Sequence, residues 1–283
     1  MTEMRILAVE EISACVARLC IQANTCLPGP VRDMLHAARD QESYDSAKDA
    51  LSLICQNAEM ALRQQTPICQ DTGMAVVYAE VGQDARLAGG TLEEAVQEGV
   101  ARGYREGYLR MSVVADPLRR KNTGDNTPAI LHTRLVAGDR IRLTVAPKGF
   151  GSENMSRLAM LNPSDGIQGV EGFVLETVCL AGANPCPPVV LGVGVGGTFE
   201  RVAELAKEAL IEQREGPHPD PFYAELENSL LSRINSLGIG PQGFGGRTTA
   251  LAVRIKAFPT HIAGLPVAVN VGCHVSRHAS ETL

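Results

Sequence analysis

The sequence predicts a mixed α/β (α+β) fold: one domain over residues 1–283, with a helical N-terminal lobe over 1–65 and a mixed sheet whose loops carry metal ligands. Three observations predict it. Apolar residues first recur at helical spacing, short apolar runs bounded by glycine or proline follow, and the two patterns then mix without the regular alternation of a doubly wound sheet. A chain of 283 residues can bury a substantial core in one large domain or two small ones. No repeat, low-complexity tract or linker interrupts it, so one domain is the economical expectation.

Residues 5 to about 65 read as helical, with Ile12, Cys15, Val16, Leu19 and Cys20 on one stripe and a break at Pro28-Gly29-Pro30. Cys15, Cys20 and Cys55 fall on apolar stripes and read as small buried hydrophobes. Cys179, inside Val174–Leu180, is expected in the core too, while Cys26 has no obvious partner. Met74–Val81 reads as a strand, and Thr91-Leu92-Glu93-Glu94 has the capping-box pattern of a helix start. His132–Val145 resembles a hairpin turning at Ala137-Gly138-Asp139, delivering Lys148-Gly149 into a loop. Val189–Val195 is a buried strand that leads through Gly196-Gly197 to Thr198, the expected N-cap of a helix through Arg214. A helix over Tyr223–Leu237 stops at Gly238, and Ala250–Ile255 and Leu265–Val271 are strand-like.

The net charge of -6 and the lack of a polybasic stretch argue against nucleic acid as a partner. No run approaches the ~18 apolar residues of a membrane helix, and the N-terminus lacks a signal-peptide core. Eight cysteines in 283 residues are too sparse for a disulfide scaffold. A cytoplasmic location, with thiols reduced and open to metal, is the expectation.

Three of those cysteines stand apart. Cys69 lies in Pro67-Ile68-Cys69-Gln70-Asp71-Thr72-Gly73, Cys186 in Asn184-Pro185-Cys186-Pro187-Pro188, and Cys273 between Gly272 and His274. Proline and glycine fix the backbone at each. Three rigid thiolates without a CxxC pair suggest a metal centre with one open position, hence Lewis-acid chemistry. Gln70 and Asp71 adjoin one thiolate, where a carboxyl could hand a proton to a departing hydroxyl. The donor-rich stretch from Arg110 through Arg119-Arg120-Lys121 can orient an organic acid, or be a solvated basic loop. Pro147–Asn154 is a glycine-loosened loop able to offer backbone N–H groups to an anion. Residue chemistry alone does not rank His261, His274 and His278. Gly192-Val193-Gly194-Val195-Gly196-Gly197 invites a dinucleotide reading, but its spacing is not GxGxxG; close backbone packing under the metal loop is the better explanation.

Several of these segments together resemble one family. Cys-Gln-Asp-Thr-Gly at 69–73, Pro-Lys-Gly-Phe-Gly-Ser-Glu-Asn at 147–154, Asn-Pro-Cys-Pro-Pro at 184–188, Gly-Ile-Gly-Pro-Gln-Gly-Phe-Gly-Gly at 238–246 and Cys-His-Val-Ser-Arg-His at 273–278 are similar to the alpha-type region of class I fumarases and L-tartrate dehydratases. The loop at 147–154 looks closer to the fumarase branch. The resemblance implies a [4Fe-4S] cluster held by Cys69, Cys186 and Cys273, with the fourth iron open to substrate. It implies dicarboxylate contacts from Gln70, Asp71, Arg110, Gly149, Ser152 and Asn154, with Asp71 exchanging a proton with the departing water. His261 matches a histidine that, in the family, reaches the neighbouring protomer's site. Phe150 departs from the all-glycine form that this loop takes in some relatives.

The implied reaction is reversible hydration of fumarate to (S)-malate by a hydro-lyase alpha subunit; L-tartrate and mesaconate are alternative substrates. The family also uses a beta-type region that this sequence does not contain, so a beta-type partner and a dimer of alpha–beta pairs are expected. An iron–sulfur sensor or electron carrier is a reading from another class, although carriers use four closely spaced cysteine ligands. Zinc on three thiolates is a further alternative.

Overall fold

The computed structural model describes residues 5–212 and 216–283. In chain order the elements are β1 (Arg5–Ala8), α1 (Val9–Thr25), α2 (Gly29–Gln41), α3 (Asp45–Gln64), β2 (Met74–Gly82), β3 (Ala85–Ala88) and α4 (Leu92–Glu106). Then come β4 (Ile130–Val136), β5 (Ile141–Lys148), α5 (Phe150–Glu153), β6 (Arg157–Leu161), α6 (Gly166–Ala181), β7 (Val189–Gly196) and α7 (Phe199–Leu210). The last are α8 (Pro221–Asn235), β8 (Ala250–Phe258), β9 (Leu265–Gly272) and β10 (Ala279–Thr282). The mixed α/β class expected from the sequence is the one adopted. Among the described residues no helix is long and apolar enough to cross a membrane.

The chain gathers into two compact units. The first comprises Met1–Pro28, Ala58–Phe150 and Arg277–Leu283. Its four-stranded sheet has the order β10-β5-β2-β4, with β4 parallel to β2 and β5 antiparallel to both its neighbours. Helices α1 and α4 bury Ile12, Val16, Leu19, Val96, Val100 and Tyr104 with Val77, Leu143 and Val145 of the sheet. The helices approach closely because α4 presents glycine to α1. A Cβ on Gly99 would sit 2.7 Å from that of Val16, and one on Gly103 2.7 Å from the Ala17 carbonyl oxygen. Thr91 caps α4 with the expected reciprocal bonds to Glu94.

Two local expectations fail in this unit. The hairpin over His132–Val145 is not one, because β4 and β5 lie on opposite sides of β2 and do not pair. Their turn straddles the end of β2, where Gly82 donates to the Arg140 carbonyl at 2.8 Å and a Cβ would meet the Gly138 carbonyl oxygen at 2.4 Å. The helix expected from residue 5 begins only at Val9; Arg5–Ala8 is a strand that pairs in parallel with β3.

The second unit comprises Gly29–Asn57 and Gly151–Ser276. Its sheet has the order β6-β9-β7-β8. Strand β7 shows why its glycines alternate with valine. Leu191 and Val193 pack with Val170 and Val174 of α6 and Leu226 and Leu230 of α8. Gly192 and Gly194 point the other way, under α7. A Cβ on Gly192 would stand 2.0 Å from the Ala206 carbonyl oxygen, and one on Gly194 2.2 Å from that of Val202. The run is closely packed as expected, but at Gly192 and Gly194 it seats helix α7 and not the metal loop, because the backbone of α7 comes within a Cβ's reach of both. Thr198 occupies the N-cap of α7, which ends at Leu210; Arg214 lies outside the described residues. Helix α8 starts at Pro221 under an Asp220 cap.

The helical stretch over residues 5–65 is realised as α1 to α3, with α1 in the first unit, α2 in the second and α3 running from the second into the first. Cys15, Cys20 and Cys55 are buried as expected, but Cys179 is exposed. The buried stripe of α6 runs through Val170, Phe173, Val174, Thr177, Val178 and Ala181 and turns Cys179 to solvent.

Candidate active site

In the first unit the Cys69 loop joins α3 to β2. It opens with Ile68 N–H donating to the Asn24 carbonyl at 2.9 Å. Cys69 is half-buried, and its Sγ stands 3.4 Å from Gln70 Oε1. The Asp71 carboxylate is held by both oxygens: Oδ1 accepts from Gly73 N–H and Oδ2 from Phe150 N–H, each at 2.9 Å. This brings Asp71 to Gly149, whose added Cβ would lie 3.2 Å from Oδ2. The N–H that Phe150 could offer to an outside anion is therefore taken up by Asp71. Gly73 adopts φ +74, and a Cβ there would meet the Lys148 carbonyl carbon at 2.7 Å, so the turn into β2 requires glycine. Arg110 is exposed, and its carbonyl accepts from Thr72 Oγ1 at 3.0 Å, tying its segment to the same loop. Cys69, Gln70, Asp71, Arg110 and Gly149 thus belong to one cross-tied set of loops.

Sequence reasoning passed over the donors beneath that loop. Arg277 Nη2 donates to the Asp71 carbonyl. Tyr104 Oη bonds the Thr72 carbonyl at 2.7 Å and lies 3.1 Å from that of Gly73. Asn126 Nδ2 donates to the Gly73 carbonyl at 3.1 Å. The available signal was a tyrosine four residues after Val100 on the apolar stripe of α4, and an arginine inside a cysteine–histidine motif.

In the second unit two cysteine loops are stitched together. Cys186 is exposed at φ +56, between the end of α6 and β7. Its carbonyl accepts from His274 N–H at 3.3 Å and faces His274 Nδ1 at 2.9 Å, which places His274 and the adjoining Cys273 beside the Cys186 loop. Gln242 donates to the Pro187 carbonyl through both its N–H, at 2.8 Å, and Nε2, at 2.7 Å. A Cβ on Gly243 would sit 2.5 Å from that of Ala183, so the Gly-rich 238–246 segment lies against this loop through backbone. Ser152 is buried and Asn154 exposed. The turn carrying them is tied to β9 by Asn270 Nδ2, which donates to Glu153 Oε2 at 2.7 Å, and by Val271 N–H, which donates to Ser156 Oγ at 3.0 Å. Lys207 also pairs with Glu153. Ser152 and Asn154 therefore stand on the end of β9 that leads to Cys273. His261 does not. It is exposed and precedes the other end of β9, a strand of 8 residues, which puts it about 25 Å from Cys273 along the strand.

In chemistry, thiols are the donors that an iron–sulfur cluster takes. Cys186 is exposed and Cys69 and Cys273 are half-buried, each on a loop pinned by backbone bonds. By contrast, burial pushes the Cys15 and Cys20 thiols up to about 12, which keeps them protonated and inert. Among the described residues no group of three His, Cys, Asp or Glu could hold a single metal ion. A cluster asks for something else, one thiolate on each of several irons.

The chain belongs to the fumarate hydratase (fumerase) family, whose model matches residues 13–282, and is thereby a hydro-lyase. It is similar to a provisionally named L(+)-tartrate dehydratase subunit alpha of Methanocaldococcus jannaschii, 42% identical over 279 residues, covering 96% of this chain and 98% of the relative. It is also similar to the L(+)-tartrate dehydratase subunits alpha of Escherichia coli (strain UTI89) and Shigella sonnei. Each is 31% identical over 276 residues, covering 96% of this chain and 91% of the relative.

Proposed function

We propose that this chain is the alpha subunit of a two-subunit hydro-lyase that interconverts fumarate and (S)-malate. The observation that carries this reading is the anchored Asp71 carboxylate one residue from Gln70 and two from Cys69, with Arg110 tied to the same loop. Cys69, Cys186 and Cys273 would hold a [4Fe-4S] cluster. When bound, the cluster supplies a Lewis-acidic iron that makes hydroxide a better leaving group.

This chain's own residues do the rest. Arg110 and Gln70, with Gly149, Ser152 and Asn154, bind and orient the dicarboxylate; a guanidinium matches a carboxylate with paired donors. Dehydration removes a proton from the carbon next to one carboxylate and breaks the C–O bond on the adjacent carbon. The electron pair of the C–H bond becomes the new double bond, and Asp71 supplies the proton that turns the departing hydroxide into water. In hydration Asp71 takes that proton back. The base at carbon comes from a beta-type subunit, which the relatives' names, "subunit alpha", support. His261, remote from Cys273 on its own chain, acts on the neighbouring protomer in a dimer of alpha–beta pairs, in the cytoplasm.

L(+)-tartrate is the second reading, favoured by the names of the relatives. The alpha–beta complex, prepared anaerobically, is assayed on fumarate, L-tartrate and mesaconate, and the chain is assayed alone. The proposal expects the highest kcat/KM on fumarate and no turnover by the isolated chain. Preference for tartrate would replace the first reading by the second, and robust turnover by this chain alone would refute the two-subunit proposal.

A further inference from the structure

We infer that Tyr104, Asn126 and Arg277 are positioning residues: a buried cradle that fixes the Cys69–Asp71 loop, on which the reaction depends although none of the three meets substrate. The inference rests on the functional reading of Cys69 and Asp71 above. Its basis is that three consecutive carbonyls of one loop, those of Asp71, Thr72 and Gly73, are each taken by a side chain from a different part of the chain. Tyr104 comes from α4, Asn126 from the segment before β4, and Arg277 from just ahead of β10.

All three are buried, Tyr104 and Asn126 fully and Arg277 to 5% exposure. Burying such groups has a cost that a merely well-packed core would avoid. A guanidinium taken out of water is expensive even when paired, and Arg277 Nε has no hydrogen-bond partner among the described residues. An apolar residue would fill the same space at less cost. What the polar groups add is direction. Backbone carbonyls caught by fixed donors cannot rotate, so the loop has one orientation in place of several.

The cradle also reaches Arg110. Asn126 stands at φ +62, a conformation that asparagine tolerates, and its Oδ1 accepts from Ser112 N–H at 2.6 Å while its Nδ2 holds Gly73. With Thr72 Oγ1 on the Arg110 carbonyl, the Arg110–Ser112 segment and the Asp71 loop are locked in one register. On its other side the loop meets the backbone of Lys148, which leaves no space for a Cβ on Gly73. Cys69, Gln70 and Asp71 are thus presented from a base with little freedom, the condition for holding a reacting group within a fraction of an ångström.

The test uses Tyr104→Phe and Arg277→Lys in the full chain, with Val100→Ala on the same helix as a control for loss of core packing. In the chain without cluster, alkylation of Cys69 is followed by mass spectrometry and amide exchange is followed over residues 69–73. Loss of the buried bonds is expected to raise both rates about tenfold in Tyr104→Phe, with a smaller rise in Arg277→Lys, which keeps the charge. Val100→Ala should stay within about twofold of the parent, even where its Tm falls as far. In the alpha–beta complex, Tyr104→Phe should lower kcat about tenfold with KM little changed. Rates in both variants that match Val100→Ala, or loosened loops with kcat intact, would overturn the inference. If Tyr104→Phe does not fold, Arg277→Lys decides. A parent complex without hydro-lyase turnover would sink the functional reading instead, and the alkylation and exchange rates would still judge the cradle.

Discussion

Replacing Asp71 by asparagine separates two tasks that the carboxylate performs. Both its oxygens accept backbone N–H groups, Gly73 on Oδ1 and Phe150 on Oδ2, each at 2.9 Å. Asparagine has one oxygen, so its NH2 must face one of those N–H groups, donor against donor. A donor stripped of its acceptor costs about 1–3 kcal/mol when buried, and the lower end applies because Asp71 is half-buried. About 1 kcal/mol lowers the Tm of a chain this size by about 2–4 °C. Asp71→Ala loses both bonds and should lose roughly twice as much. Activity should fall much further than this loosening explains, because a proton-transfer group is worth about 10²–10⁴ in rate. Steady-state hydration of fumarate by the alpha–beta complex, measured with iron content and Tm on the same preparations, gives all three quantities. Asp71→Asn with kcat within tenfold of the parent would refute the proton-transfer role. An unchanged Tm would refute the anchoring.

Further expectations concern the fold and its response to pH. Gly192→Ala places a Cβ 2.0 Å from the Ala206 carbonyl oxygen and should lower stability by about 3 kcal/mol, read as a lower denaturant midpoint; Gly172→Ala on α6, with nothing within 4 Å, should gain about 0.5–1 kcal/mol. Burial, with the nearby Arg142 charge adding to it, lowers the His278 pKa from 6.5 to about 4. The unfolded chain therefore takes up the proton first, and this contribution is full above pH 6.5 and lost as pH falls from there toward 4. The loss amounts to about 3 kcal/mol, and His278→Gln should flatten the slope of denaturant stability against pH in that window.

What could be read from the sequence was what local chemistry fixes. The α4 capping box, the α1 stripe and the burial of Cys15 and Cys20 follow from spacing within one turn or two. The β7 glycines could be read as packing because the spacing was wrong for a dinucleotide, although which helix they seat needed the structure. What failed was non-local. Gly138-Asp139 signals a tight turn, and nothing within fifteen residues reveals that β2 lies between the strands it joins. Arg5–Ala8 is four residues long and runs straight into a helix, so its pairing with β3 was invisible. Cys179 was misplaced because α6 is apolar on most sides and its buried stripe had to be chosen. In the site, proline and glycine mark the three cysteine loops, and the bonds between Cys186 and His274 join two of them, those of Cys186 and Cys273. The cradle under Asp71 was hidden because its donors come from residues 104, 126 and 277, and a buried arginine looks like any other charge in a sequence.

The account turns on Cys69, Cys186 and Cys273 as the thiols that hold iron. Iron and acid-labile sulfide are to be measured on anaerobically prepared alpha–beta complex, for the parent, for each single serine variant of those cysteines and for Cys179→Ser. The account predicts iron and sulfide in the parent and in Cys179→Ser, with turnover retained, and loss of both iron and turnover in each of the other three. A parent without iron, or any one of the three variants with its iron and turnover intact, would contradict it.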